Sequence, residues 1–224
     1  MARTIGSLDE RRRVIETAQA LNALHLNRGK AGNVSVRVGD AFLVTPSGMA
    51  YDALAADDIV AISADGVLEG ARTPSSEWPM HRAIYAARPE MAAIVHAHSP
   101  FATALACLDR GIPAFHYMVA VAGGHDVRCA AYATFGTPEL ARNAVAALDG
   151  RRACLLAHHG LIAGGATLEH ALAVAIDVEA LAEIYCRALA IGEPSLLSDA
   201  EMVAVVEQFR GYGQRGGGGA DDAS

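Results

Sequence analysis

The four cysteines, at 107, 129, 154 and 186, lie more than twenty residues apart and form no CxxC pair. That spacing lacks the signature of a thiolate metal site or a dithiol redox centre. The apolar surroundings, as in ALAC and ACLL, read as those of reduced core residues. Equally absent is a run of about 18 apolar residues, the length a membrane helix needs. Residues 1–6 carry Arg3 but lead into no apolar signal region, so the expected location is the cytoplasm. Positive charge is also short, with 18 basic against 25 acidic residues and a formal net charge of −7. A nonspecific nucleic-acid binder would need a basic stripe instead. No Walker loop occurs, and no internal repeat divides the chain.

What is present suits one enzyme domain. A chain of 224 residues can bury one full core. Its 52% apolar content is largely alanine, which favours tightly packed helices. Ser7-x-x-Glu10 is a capping box ahead of a helix expected over residues 8–26. Val34, Val36 and Val38 alternate with Ser35 and Arg37, the period of a strand. Gly39-Asp40 turns into a second strand over 41–45, and 59–63 with 67–70 form a hairpin across Asp65-Gly66. A helix over 76–87 tolerates Pro79 in its first turn. Residues 91–98 read as an apolar strand, followed by a short helix from Pro100 to about Cys107. The segment 112–135 reads as strand and loop, interrupted at Gly123-Gly124. Thr137-Pro138 starts a helix that ends at Asp149-Gly150, and 153–157 reads as the last clear strand. Helices then follow from Thr167 to about Ile191 and from Ser198 to about Phe209. The domain is expected over 1–212, with a glycine-rich, unstructured tail over 213–224. Neighbouring hairpins argue against a purely parallel sheet, so an α/β fold with one mostly antiparallel sheet covered by helices is expected.

Chemistry gathers in few places. His96 and His98 are two apart on a strand and so project from one face. Two imidazoles on one face make half of a metal site, since zinc accepts histidine nitrogens at about 2.0–2.1 Å. His158-His159-Gly160 follows directly on the strand 153–157 and sets a third histidine at the mouth of the same sheet. His25, His125 and His170 read as ordinary surface or packing residues. His81 falls one helical turn after Glu77, and His116 precedes Tyr117 in an uncharged stretch. Three polar loops, Gly32-Asn33-Val34-Ser35, Thr45-Pro46-Ser47-Gly48 and Pro74-Ser75-Ser76-Glu77, combine small residues with hydroxyl or amide groups. Such loops converge backbone N–H groups on an anion, and Ser75-Ser76 lead into a helix N-terminus that favours phosphate.

Over residues 8–212 these motifs, together with IPAFHYMVAVAGG, CAAYATFGTPEL and LLAHHGLI, resemble the class II aldolase and adducin head-domain superfamily, in particular its L-fuculose-1-phosphate aldolases. The resemblance implies an α/β/α sandwich and a fourfold homotetramer with sites at subunit boundaries. It also implies one zinc ion per subunit on His96, His98 and His159, with His158 not ligating, and Glu77 as acid/base. Gly32, Asn33, Ser47, Gly48, Ser75 and Ser76 match phosphate-binding positions. Tyr117, Phe135 and Tyr212 match aromatic groups at the aldehyde end. The implied reaction is cleavage of L-fuculose 1-phosphate, or a similar ketose 1-phosphate, into dihydroxyacetone phosphate and an aldehyde such as L-lactaldehyde. Related chains include pentulose-phosphate 4-epimerases, which carry aspartate where Glu77 stands and an acidic group near Tyr117. Methylthioribulose-phosphate dehydratases and deoxypentulose- or methylthioribulose-phosphate aldolases would share this metal and phosphate set. A non-enzymatic adducin-like domain would have lost the three histidines.

Overall fold

The computed structural model describes residues 5–211; Tyr212 and the glycine-rich stretch 213–224 lie outside them. Helix α1 (Leu8–Ala23) opens with the expected capping box, in which the Ser7 hydroxyl accepts from Glu10 N while the Glu10 carboxylate accepts from Ser7 N. It stops three residues short of the expected Leu26. His25 takes a left-handed conformation, φ +58°, and Leu26 N and Asn27 N both return to the Leu21 carbonyl. That close tucks Leu26 into the core.

The central sheet contains β1 (Asn33–Val38), β2 (Ala41–Val44), β3 (Val60–Ile62), β4 (Leu68–Glu69), β5 (Ala93–Ala97), β6 (Arg128–Ala130), β7 (Ala153–Leu156) and β8 (Gly160–Gly165). Their spatial order is β4-β3-β2-β1-β5-β8-β7-β6. Every pairing is antiparallel except that of β6 with β7. The sheet is therefore mixed and mostly antiparallel, as expected. One strand overturns the expectation that 153–157 is the last. The segment GLIAGG is β8, wholly buried between β5 and β7. Three glycines in six residues conceal it, because they carry no side chain to show a period of two. The segment 112–135 is likewise less extended than expected. The His116 ring accepts from Met118 N and caps a 3-10 helix, Tyr117–Ala122, which Gly123 ends at φ +94°.

Helices cover both faces. On one face Val34, Val95, Leu155 and Leu161 pack against α1, α3 (Pro100–Ala106) and α5 (Leu168–Ile191). On the other, Phe42, Ile94, Leu156 and Ile162 pack against α2 (Trp78–Ala87) and α4 (Pro138–Ala147). The last helix, α6 (Asp199–Gly211), packs on the Tyr117–Ala122 turn. Among the described residues no helix is long and apolar enough to cross a membrane.

Candidate active site

The period of β5 sets the site. Val95 and Ala97 face the α1/α3/α5 core, so His96 and the following His98 fall on the opposite face with Ile94. Next to them, β7 and β8 form a hairpin whose three-residue turn, 157–159, holds His158 left-handed at φ +54°. Because His96 pairs with Ile162 across β5 and β8, that turn delivers His159 to the same spot. The three rings lie 4.8–4.9 Å apart, centroid to centroid. One nitrogen from each falls within 4.8 Å of the others. His96 Nδ1 donates to the Leu161 carbonyl at 2.9 Å. That bond fixes the tautomer and leaves Nε2 free to act as ligand. His96 Nε2 and His98 Nε2 stand 3.0 Å apart, close to the roughly 3.3 Å separating two nitrogens on one tetrahedral zinc.

Glu77 enters from the helix side. It is the N-cap of α2 and is buried, and its side chain caps nothing. Its Oε2 accepts from Asn33 Nδ2 at 3.0 Å and lies 3.1 Å from His96 Nε2. Its Oε1 is 3.4 Å from His159 Nε2 and has no hydrogen-bond partner among the described residues. A buried carboxylate oxygen without a partner, facing three convergent imidazoles, fits a divalent cation well.

Charge follows geometry here. Burial pushes the Glu77 carboxyl up, but His96, His159 and the Asn33 amide outweigh it and hold the group well below the usual carboxylate range. Burial depresses His96, yet Glu77 and the Leu161 carbonyl reverse that, and the net shift is upward. His98 and His159 are pushed down to about 4, first by burial and then by His96. Without a cation, the arrangement favours the charged forms of His96 and Glu77 and the neutral forms of His98 and His159.

The polar loops meet at this end of the sheet. Asn33 pairs with His96 in register. A Cβ on Gly32, at φ +72°, would fall 2.3 Å from Asn27 Nδ2 and 2.4 Å from the His96 carbonyl oxygen, so only glycine lets the loop pass. Ser47 N donates to the Thr73 carbonyl and Ser75 N to the Thr45 carbonyl, which ties the Ser47-Gly48 loop to Ser75-Ser76. The Ser75 hydroxyl accepts from Glu77 N at 3.3 Å. Ser76, Glu77, His98, Tyr132, Ala133, Phe135, His158 and His159 line a cavity of about 280 Å³. A wider groove of about 740 Å³, beside Ile5–Glu10 and Val38–Ala41, contains no histidine.

Among the residues named from sequence, the structure thus joins the three histidines, Glu77, Asn33, Ser76 and Phe135. Tyr117 is elsewhere. It is half exposed and shares a separate cavity of about 320 Å³ with Met118, Val205, Gln208 and Phe209. Tyr212 lies outside the described residues. Three contributors escaped sequence reading. Tyr132 and Ala133 line the cavity, and buried Asn27 accepts from His98 N at 2.7 Å. Nothing in the local pattern marks Asn27, which follows a helix as any polar residue might.

Comparisons with known proteins place the fold and sequence among related chains. The family model described as "Class II Aldolase and Adducin N-terminal domain" matches residues 12–186. The chain is 56% identical over 200 residues to a 5-methylthioribulose-1-phosphate/5-deoxyribulose-1-phosphate aldolase of Rhodospirillum rubrum, covering 89% of this chain and 90% of that one. It is 49% identical over 205 residues to an L-fuculose phosphate aldolase of Escherichia coli K12, covering 91% and 95%. A solved structure of an L-fuculose 1-phosphate aldolase superposes with a TM-score of 0.90 at 45% identity, over 92% of this chain and 98% of that one.

Proposed function

This chain belongs to the class II aldolase and adducin N-terminal domain family, and we propose that it cleaves a ketose 1-phosphate between C3 and C4 into dihydroxyacetone phosphate and a short aldehyde. The observation that carries this reading is a buried carboxylate, Glu77, set against three imidazoles that fit one divalent cation. The all-nitrogen donor set favours zinc, one per chain, which supplies the Lewis acidity that charge developing on the substrate O2 requires.

The chain's own residues do the rest. Gly32, Asn33, Ser47, Gly48, Ser75 and Ser76 hold the phosphate, so the scissile bond is fixed by position as well as by charge. Glu77 carries the proton at C3. In cleavage it protonates that carbon of the enediolate, and in condensation it removes the same proton. Substrate displaces it from the histidines and frees it to act. A phenol handles the other half. In condensation the aldehyde oxygen becomes the C4 alkoxide and takes a proton from Tyr117, and cleavage reverses that transfer. Tyr117 does not line the cavity that His98 and His159 share with Glu77, so it serves a neighbouring subunit in a homotetramer, with Tyr212 assigned to the same aldehyde end.

Tyr132, Ala133 and Phe135 give the cavity a wall suited to an apolar aldehyde. L-Fuculose 1-phosphate, 5-deoxyribulose 1-phosphate and 5-methylthioribulose 1-phosphate all end in a methyl group. The 56% identity with the Rhodospirillum rubrum enzyme supports the two pentulose phosphates; the 49% identity with the Escherichia coli enzyme supports L-fuculose 1-phosphate. Incubating the protein with each, with and without chelator, and assaying dihydroxyacetone phosphate decides among them. Chelator-sensitive release from at least one, with the highest kcat/KM on a pentulose phosphate, is expected. Epimerised or dehydrated substrate without dihydroxyacetone phosphate would overturn the assignment.

A further inference from the structure

Below Glu77 a chain of polar contacts runs into the core between β1 and α2. Strand residues two apart advance by about 6.6 Å and helix residues four apart by about 6.0 Å. Asn33, Ser35 and Arg37 therefore stand against Glu77, His81 and Tyr85 almost rung for rung. Asn33 donates to Glu77 at 3.0 Å. The Ser35 hydroxyl lies 2.6 Å from His81 Nδ1 and 2.8 Å from the Tyr85 hydroxyl. Arg37 Nη2 donates to the Tyr85 carbonyl at 2.7 Å, and its guanidinium sits 4.7 Å from the Tyr85 ring centre. Ser35 and His81 are wholly buried, and Tyr85 almost so.

Polar groups at that depth cost several kcal/mol unless they are bonded; His81 Nε2 and Asn33 Oδ1 find no partner among the described residues, which leaves the bonds that are made to specify the packing. A shift of α2 by one residue would turn each rung by about 100° and break all three. Burial pushes the His81 ring down to about 3, so it acts as a neutral hydrogen-bonding group. Glu77, by contrast, has no side-chain cap bond to hold it locally. The aim of its carboxylate follows the position of the helix it begins.

We infer that His81, with Ser35 and Tyr85, is a positioning residue that fixes the register of α2 on β1 and thereby the aim of the Glu77 carboxylate. The inference deepens the aldolase reading and rests on it for its catalytic consequence. Its test uses two readouts. One is exchange of the C3 proton of dihydroxyacetone phosphate in D2O by the metal-loaded enzyme. The other is emission of Trp78, the chain's single tryptophan, which adjoins Glu77 and lies 5.0 Å beneath the Arg82 guanidinium; it is read without substrate.

Ser35→Ala and His81→Leu each delete the shared hydrogen bond without adding much bulk. Both should retain metal, shift Trp78 emission and slow exchange by about 10- to 100-fold. His81→Asn sets an amide on Cγ where Nδ1 stood and should restore both readouts. In a Glu77→Gln background, Ser35→Ala should cost almost nothing further, because its effect passes through the missing carboxylate. Ser35→Ala carries the test alone if His81→Leu does not fold. Unchanged exchange in Ser35→Ala, an undiminished loss in the Glu77→Gln background, or Asn behaving like Leu overturns the inference. If wild-type protein exchanges no C3 proton, the aldolase reading fails separately. Positioning is then judged on emission, and an unshifted Trp78 in Ser35→Ala overturns it.

Discussion

The three clustered histidines do not begin from one protonation state. Glu77 raises His96 above its ordinary value, whereas burial and His96 depress His98 and His159 to about 4. A histidine must be neutral at the ligating nitrogen to bind metal, so uptake displaces whatever protons those nitrogens hold. At about pH 6, above the two depressed values and below the raised one, metal-free protein carries one such proton, on His96. Adding zinc there should release about one proton per chain, measured by calorimetry in buffers of differing ionisation enthalpy. The yield should climb toward three as pH falls through about 4. No release, or nearly three protons at about pH 6, would refute the charge arrangement. This histidine cluster was legible in sequence for a simple reason. HxH on a strand shares a face, and a histidine just past a second strand reaches the same sheet end. Asn27 and His81 were not legible as supports, because their roles depend on partners 71 and 46 residues away.

Among the elements, the hairpin of β7 and β8 positions the third histidine of the cluster. Its second strand is packed so closely on β5 that a Cβ on Gly160 would fall 2.4 Å from the Ala97 carbonyl oxygen and 3.1 Å from His98 Cδ2. At the far end of β8, a Cβ on Gly165 would fall 2.6 Å from Ala171 N. Gly160→Ala and Gly165→Ala should each destabilise the fold by about 1–3 kcal/mol, as overpacking does. Only Gly160→Ala should also weaken metal binding, since it alone presses on a ligand. Equal metal affinity in the two variants, measured by chelator competition, would contradict this. The same glycines explain why β8 escaped sequence reading: close packing against β5 and α5 removed the side chains that would have shown a strand. Helices were more legible, since Ser7, Thr137 and Thr167 cap them as their sequence spacing indicates.

Across the described residues, the sheet brings the three polar loops, the clustered histidines and Glu77 to one end, while Tyr117 and Phe209 meet elsewhere, 6.5 Å apart between ring centres. The proposed site, completed by a second subunit, would reconcile the two places. Mixing inactive Glu77→Gln chains with inactive Tyr117→Phe chains should restore part of the activity once subunit exchange is verified. No recovery would remove Tyr117 from a shared site. In the proposed reaction Glu77 moves the C3 proton beside a histidine-held metal. This step is tested most directly by following hydrogen–deuterium exchange at C3 of dihydroxyacetone phosphate by NMR in metal-loaded wild type and Glu77→Gln at equal metal content. One of the two C3 hydrogens should exchange in wild type, stop exchanging in chelator, and slow by about 10²- to 10⁴-fold in the variant. Exchange in Glu77→Gln at the wild-type rate would contradict the account.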